Sequence, residues 1–290
     1  LRVWLSAIRP KTLGAAVSPI LIGTTMAFGE GKGHTLAALA ALLGALLIQI
    51  GTNFSNDYFD YIKGADTEER LGPVRVTQSG QVRPKTMLWN FVMVFGLATL
   101  VGIYLVFRGG WPIVMIGILS IASGILYTGG PWPLGYMGLG DLFVLIFFGP
   151  VAVGGTFYVQ TLEITPVVII AGLGPGLLAT ALLAVNNLRD EPTDKKVGKL
   201  TLAVRFGTTF ARAEYLAALV FSAVIPFILA FWTETHWYAC ISALIIIPGF
   251  SSIRQIISGV KGSELNITLA STGKLILIYG ILFSLGWWIG

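Results

Sequence analysis

Two stretches of this sequence combine carboxylates and carboxamides at helical spacing. The first runs Asn53-Phe54-Ser55-Asn56-Asp57-Tyr58-Phe59-Asp60 and continues to Lys63 and Asp66; the second runs Asn187-Leu188-Arg189-Asp190-Glu191-Pro192-Thr193-Asp194-Lys195. Residues three, four and seven apart share a helix face. Asn53, Asn56, Asp57 and Asp60 therefore line one side of the first stretch, and Asn187, Asp190 and Asp194 one side of the second. Carboxylates stacked in this way repel one another unless a cation sits between them. Hard oxygen ligands with partial carboxylate coordination suit Mg²⁺, which shares its shell with substrate phosphate oxygens. Two clusters facing each other imply two Mg²⁺ ions on one diphosphate, with Lys63, Arg75, Arg189, Lys195 and Lys199 around the remaining negative charge. The competing reading is a set of solvated charges pairing idly at helix ends. Two clusters at equivalent places in the two halves of the chain, each led by Asn, weigh against it. Pro192 removes a backbone donor and disfavours helix before it, so the second helix is expected to end or kink near Glu191.

The elements that must carry these residues follow from composition. Of the 290 residues, 55% are hydrophobic and 11% charged, against roughly 25% charged in soluble domains. Apolar runs recur near 13–29, 35–57, 86–107, 112–128, 139–160, 165–188, 213–233, 236–257 and 272–290. Each approaches the roughly 20 residues needed to cross a hydrocarbon core. The expectation is an all-α polytopic membrane protein of about nine transmembrane helices around a central cavity. Basic residues beside a span resist translocation. With the N-terminus cytoplasmic, 17 of the 19 Lys and Arg residues fall on the cytoplasmic side, leaving Lys32 and Arg108 outside. Both acidic clusters then sit at the cytoplasmic face. The first apolar run is interrupted by Gly14 and Pro19, and reads as a retained helix rather than a cleaved leader.

The net charge of +5 is loop bias. No basic stretch alternates with exposed aromatics, so nucleic acid is excluded as a partner and the lipid bilayer is the expected one. A single cysteine, Cys240, excludes an internal disulfide framework and a thiolate metal cluster. Gly72-Pro73 and Gly80 break the connection after the first cluster into turns, and its length suits a lid. Gly172, Gly174, Gly176 and Ala179 are expected to let helices pack closely.

Taken with further motifs, the sequence resembles the UbiA superfamily of intramembrane prenyltransferases. Asn56-Asp57-x-x-Asp60 with Asp66 resembles the first Asp-rich motif of that family, and Asn187-x-x-Asp190-x-x-x-Asp194 the second. Within it the resemblance is to the 1,4-dihydroxy-2-naphthoate branch. That rests on Arg9-Pro10-Lys11-Thr12-Leu13, Lys63-Gly64-Ala65-Asp66, the run Gly72 to Gly80, Tyr127-Thr128-Gly129-Gly130-Pro131, and Phe148 to Thr156. In the general family pattern the last acid of the first motif follows the preceding one by four residues. Gly64 stands there in this chain, and Asp66 is the nearest acid.

The resemblance implies a single transmembrane domain over residues 1–290, in the inner (plasma) membrane, with its site opening to the cytoplasm. It implies Mg²⁺-dependent transfer of a polyprenyl or phytyl group from its diphosphate to a naphthoate, with decarboxylation, in menaquinone or phylloquinone biosynthesis. Asp57, Asp60, Asp190 and Asp194 would be catalytic, and Asn56, Asp66 and Asn187 would join them around metal. Arg9, Lys11, Asn53 and Tyr127 would hold the acceptor, and Tyr127 or Tyr58 could stabilise an allylic cation by cation–π attraction. The rival readings are a sibling enzyme with another aromatic acceptor and a divalent-cation transporter. The transporter would be expected to carry its acids near mid-membrane at broken helices.

Overall fold

The computed structural model describes residues 2–65 and 71–290, and every regular element among them is helical. In chain order these are α1 (Arg2–Ile8), α2 (Pro10–Gly29), α3 (Thr35–Ile62), α4 (Pro84–Gly109), α5 (Trp111–Leu126), α6 (Gly140–Phe147), α7 (Pro150–Thr161), α8 (Pro166–Lys196) and α9 (Leu202–Thr233). A 3₁₀ stretch, Trp237–Ile245, leads into α10 (Ile246–Ile257), and α11 (Leu265–Ile289) closes the chain. Among the described residues eight helical segments are long and apolar enough to cross a membrane, with α5 as a shorter ninth. Phe107, Trp111, Phe231, Ile247 and Trp288 are exposed apolar side chains on the outside of the bundle, the surface that lipid would cover.

Helix starts follow local chemistry. Pro10, Pro84, Pro150 and Pro166 each occupy a first helical position, where the missing N–H costs nothing. Thr165 and Thr201 cap α8 and α9 by accepting from Val168 and Val204 amides. Pro150 also splits the expected 139–160 span: α6 stops at Phe147 and α7 begins two residues beyond Phe148, at Pro150. Gly207 (φ 85°) likewise sets the first turn of α9 apart from the rest.

Pro192 does not end α8. The helix runs on to Lys196, because Pro192 removes only the one donor that would meet the Leu188 carbonyl. The neighbouring turn is tied by Thr193 Oγ1 donating to the Asp190 carbonyl at 2.9 Å. Asn187, Asp190 and Asp194 consequently keep helical spacing and one buried face.

The glycines of α8 pack as expected. A β-carbon on Gly172 would lie 2.7 Å from Pro150 backbone atoms, and one on Gly176 3.0 Å from the Gly149 Cα. The α6–α7 break is thus pressed against α8. Gly172→Val is expected to destabilise the bundle by about 1–3 kcal/mol, the usual cost of overpacking. Thermal unfolding of detergent-purified protein checks it; an unchanged midpoint would refute the close contact.

A cavity of about 450 Å³ is lined by α2 to α7 through residues such as Ile20, Ile48, Ala98, Ile116, Phe147 and Tyr127. Its walls are almost wholly apolar.

Candidate active site

The last three turns of α3 present Asn53, Asn56, Asp57 and Asp60 on a buried face, and each meets a different part of the chain. Asn53 Nδ2 donates to the Ile8 carbonyl at 2.8 Å, at the break where Arg9 (φ 57°) separates α1 from α2. Asn56 Oδ1 accepts from Thr128 Oγ1 at 2.9 Å. Asp57 accepts from the Val76 and Thr77 amides. Asp60 accepts from Arg75 Nη2 at 3.0 Å and from the Tyr136 hydroxyl at 3.2 Å.

The second cluster is built differently. Arg189, 1% exposed, donates to both oxygens of Asp190, Nε to Oδ1 at 2.8 Å and Nη2 to Oδ2 at 2.6 Å. Its remaining reach goes to Asn186 and Asn266, each at 2.8 Å. Asn266 in turn donates to the Leu71 carbonyl at 2.9 Å. A β-carbon on Gly72 would stand 2.7 Å from the same guanidinium, so the segment after residue 70 lies directly over it. Asp194 is buried, with Oδ1 3.4 Å from Lys199 Nζ, while its Oδ2 has no hydrogen-bond partner among the described residues. Asp194 interacts electrostatically with Asp190 and Asp60, so the two clusters face each other.

Tyr136 joins the halves. Lys63 and Lys199 lie over its ring, at 4.8 and 5.8 Å from the centroid. Its carbonyl accepts from the Leu200 amide, and Arg205 donates to the Met137 carbonyl. Lys63 also donates to the Gly130 carbonyl at 3.3 Å. Burial pushes its ammonium pKa down, opposed by the charge of Asp60. Tyr127, which lines the apolar cavity, has its hydroxyl pKa pushed up by burial and by the charges of Asp141, Asp194 and Asp60.

Of the other sequence-predicted residues, Asn187 is buried on the α8 face, whereas Lys195 is exposed. Arg9 is half-buried at the α1–α2 break and Lys11 is exposed. Asp66 lies outside the described residues. Tyr136 and Asn266 have no signal in the sequence, and Thr128 stands there only within the Tyr127–Pro131 motif, without a role of its own. Each stands in an uncharged connector or at a helix start, and only tertiary pairing brings it to the acids. Among the described residues no three Asp, Glu, His or Cys side chains converge tightly enough to hold a metal ion unaided. A buried oxygen without a partner, with two more carboxylates acting on it, nevertheless fits a hard cation whose shell a diphosphate completes.

The fold and site define a polytopic helical membrane protein whose two acidic helix ends meet above an apolar cavity. The chain belongs to the UbiA prenyltransferase family, whose profile matches residues 16–288. It is 38% identical over 300 residues to the 1,4-dihydroxy-2-naphthoate octaprenyltransferase of Haemophilus influenzae, covering 100% of this chain and 97% of that one. The corresponding octaprenyltransferase of Mycobacterium tuberculosis is 37% identical, covering 96% and 94%. Among solved structures, the UbiA homologue from Archaeoglobus fulgidus bound to GPP and Mg²⁺ superposes with a TM-score of 0.64 at 15% identity, covering 97% of this chain and 99% of that chain.

Proposed function

We propose that this protein transfers a polyprenyl or phytyl chain from its allylic diphosphate to 1,4-dihydroxy-2-naphthoate, with loss of the ring carboxyl as carbon dioxide, in menaquinone or phylloquinone biosynthesis. The observation that carries this reading is the junction at Tyr127. Tyr127 lines the apolar cavity, and the charges of Asp141, Asp194 and Asp60 act on the same side chain. A substrate with a long hydrocarbon tail and a diphosphate head matches both sides of that junction. The names of the relatives support a naphthoate as acceptor.

Asn56, Asp60, Asn187, Asp190 and Asp194, together with Asp66, are the residues that would hold Mg²⁺, and bound Mg²⁺ offsets the charge on the departing diphosphate. Lys63, Arg75 and Lys199 add fixed positive charge beside the Asp60 and Asp194 oxygens. The Tyr127 ring faces the cavity and attracts an allylic cation by about 0.5–2 kcal/mol. The apolar walls keep water from quenching that cation. Attack by the electron-rich ring forms the carbon–carbon bond, and release of the carboxyl carbon as carbon dioxide restores aromaticity. Arg9 and Lys11, at the start of α2, are the cations nearest in sequence to Asn53's partner Ile8 and would hold the acceptor carboxylate.

Sidedness follows the basic residues. Lys32 pairs with Glu163, and Arg108 donates to the Val159 and Gln160 carbonyls, so both lie at the end opposite the acids. The acidic end would face the cytoplasm.

The test is mass spectrometry of products made by purified protein from 1,4-dihydroxy-2-naphthoate, a series of prenyl diphosphates and Mg²⁺. Prenylated product lighter by carbon dioxide is expected. In the same assay Arg9→Gln should raise the naphthoate KM about tenfold, as for a lost charge-assisted bond, and leave the prenyl diphosphate KM nearly unchanged. Absence of product, or product that keeps its carboxyl, would overturn the proposal.

A further inference from the structure

We infer that Asp57, although it stands in the first acidic motif, is a positioning residue. It anchors the segment 71–83, and through it Arg75, instead of ligating metal. The inference builds on the proposed reaction but rests on its own geometry. Asp57 is 2% exposed, and both of its oxygens are committed to backbone. Oδ1 accepts from the Thr77 amide at 3.1 Å and Oδ2 from the Val76 amide at 3.3 Å. Bonds from N–H to a carboxylate are charge-assisted and stronger than neutral ones.

The anchored segment is itself ordered. The Ser79 amide bonds to the Arg75 carbonyl, the Gly80 amide to the Thr77 carbonyl and the Val82 amide to the Val76 carbonyl, each within 3.1 Å. Val76 and Val82 pack into one apolar cluster with Phe54, Met87 and Phe91. A rigid turn seated on one carboxylate fixes the residue before it, and that residue is Arg75, whose Nη2 reaches Asp60. Asp60, by contrast, accepts from the Arg75 side chain and the Tyr136 hydroxyl and acts electrostatically on Asp194 of the second motif, whereas both bonds to Asp57 come from the backbone of the segment.

Three measurements on the full-length protein in nanodiscs test this. Hydrogen exchange over residues 71–83 should rise in Asp57→Asn and stay near wild type in Asp60→Asn. Binding of Mn²⁺ in the presence of inorganic pyrophosphate should weaken at least tenfold in Asp60→Asn and change less than threefold in Asp57→Asn. In turnover, Asp57→Asn and Arg75→Gln should each raise the prenyl diphosphate KM about tenfold, as expected for one lost charge-assisted bond. The double variant should be no worse than either single. Unchanged exchange over 71–83, weakened Mn²⁺ binding equal to that of Asp60→Asn, or additive effects with Arg75→Gln would each overturn the inference. Exchange and Mn²⁺ binding need no turnover, so they decide the role of Asp57 even if the naphthoate is not the acceptor.

Discussion

Asp194→Asn is expected to lower prenyl transfer by at least about a hundredfold to a thousandfold, the scale seen when one preorganised electrostatic contact to a developing charge is removed. Asp194 Oδ2 is buried without a hydrogen-bond partner among the described residues, and Oδ1 leans on Lys199 at 3.4 Å. Such an atom costs free energy in the resting protein, and a cation bound with the diphosphate offsets that cost. Asparagine keeps the shape and removes the charge. The substitution gives up the attraction of Lys199 but removes a buried charge that also repels Asp190 and Asp60, so the unfolding midpoint should stay equal or rise. Turnover measured beside thermal unfolding separates the two effects. Activity within tenfold of wild type would remove Asp194 from the site, and a lowered midpoint would make its role structural.

The second large effect concerns stability. Arg189→Leu is expected to cost about 3–5 kcal/mol, the penalty for leaving one half of a buried ion pair alone. Arg189 is fully enclosed, is bonded to both Asp190 oxygens, and also satisfies Asn186 and Asn266. Removing it strands a carboxylate and two carboxamide oxygens at once. Adding Asp190→Asn to Arg189→Leu should recover part of the stability, since the stranded charge is gone, and should not recover turnover. The readout is thermal unfolding in detergent for the two singles and the double. A single variant as stable as wild type would show that Asp190 is not held by Arg189.

Much of this was readable in the chain. The number of spans and the two acidic clusters followed from hydropathy and from carboxylates spaced by three and four, signals that are local and strong in so apolar a sequence. Asn187, Asp190 and Asp194 do share a face, although Pro192 argued for a break. Proline's effect on a helix depends on what else ties the turn, and here Thr193 does so. Side-chain roles were less legible. Nothing in Asn-x-x-x-Asp indicates that Asp57 would face the Val76 and Thr77 amides. Arg189 was read as a diphosphate ligand because it is basic and adjacent, but its bonds go to neighbours, one of them on α11. Tyr136 lies in a turn-rich stretch without charge, and its place between Lys63 and Lys199 depends on two connectors meeting in space.

That bond from Arg189 to α11 bears on biosynthesis. Asn266 accepts from Arg189 and donates to the Leu71 carbonyl, tying together three segments that leave the ribosome far apart in time. Both acidic motifs are already made when residue 196 has emerged, yet the guanidinium that holds Asp190 and the segment over it lack this shared partner until the final helix is inserted. Assembly of this end is thereby coupled to completion of the bundle, and a chain arrested before residue 265 would hold Asp190 by a guanidinium that lacks its partner on α11.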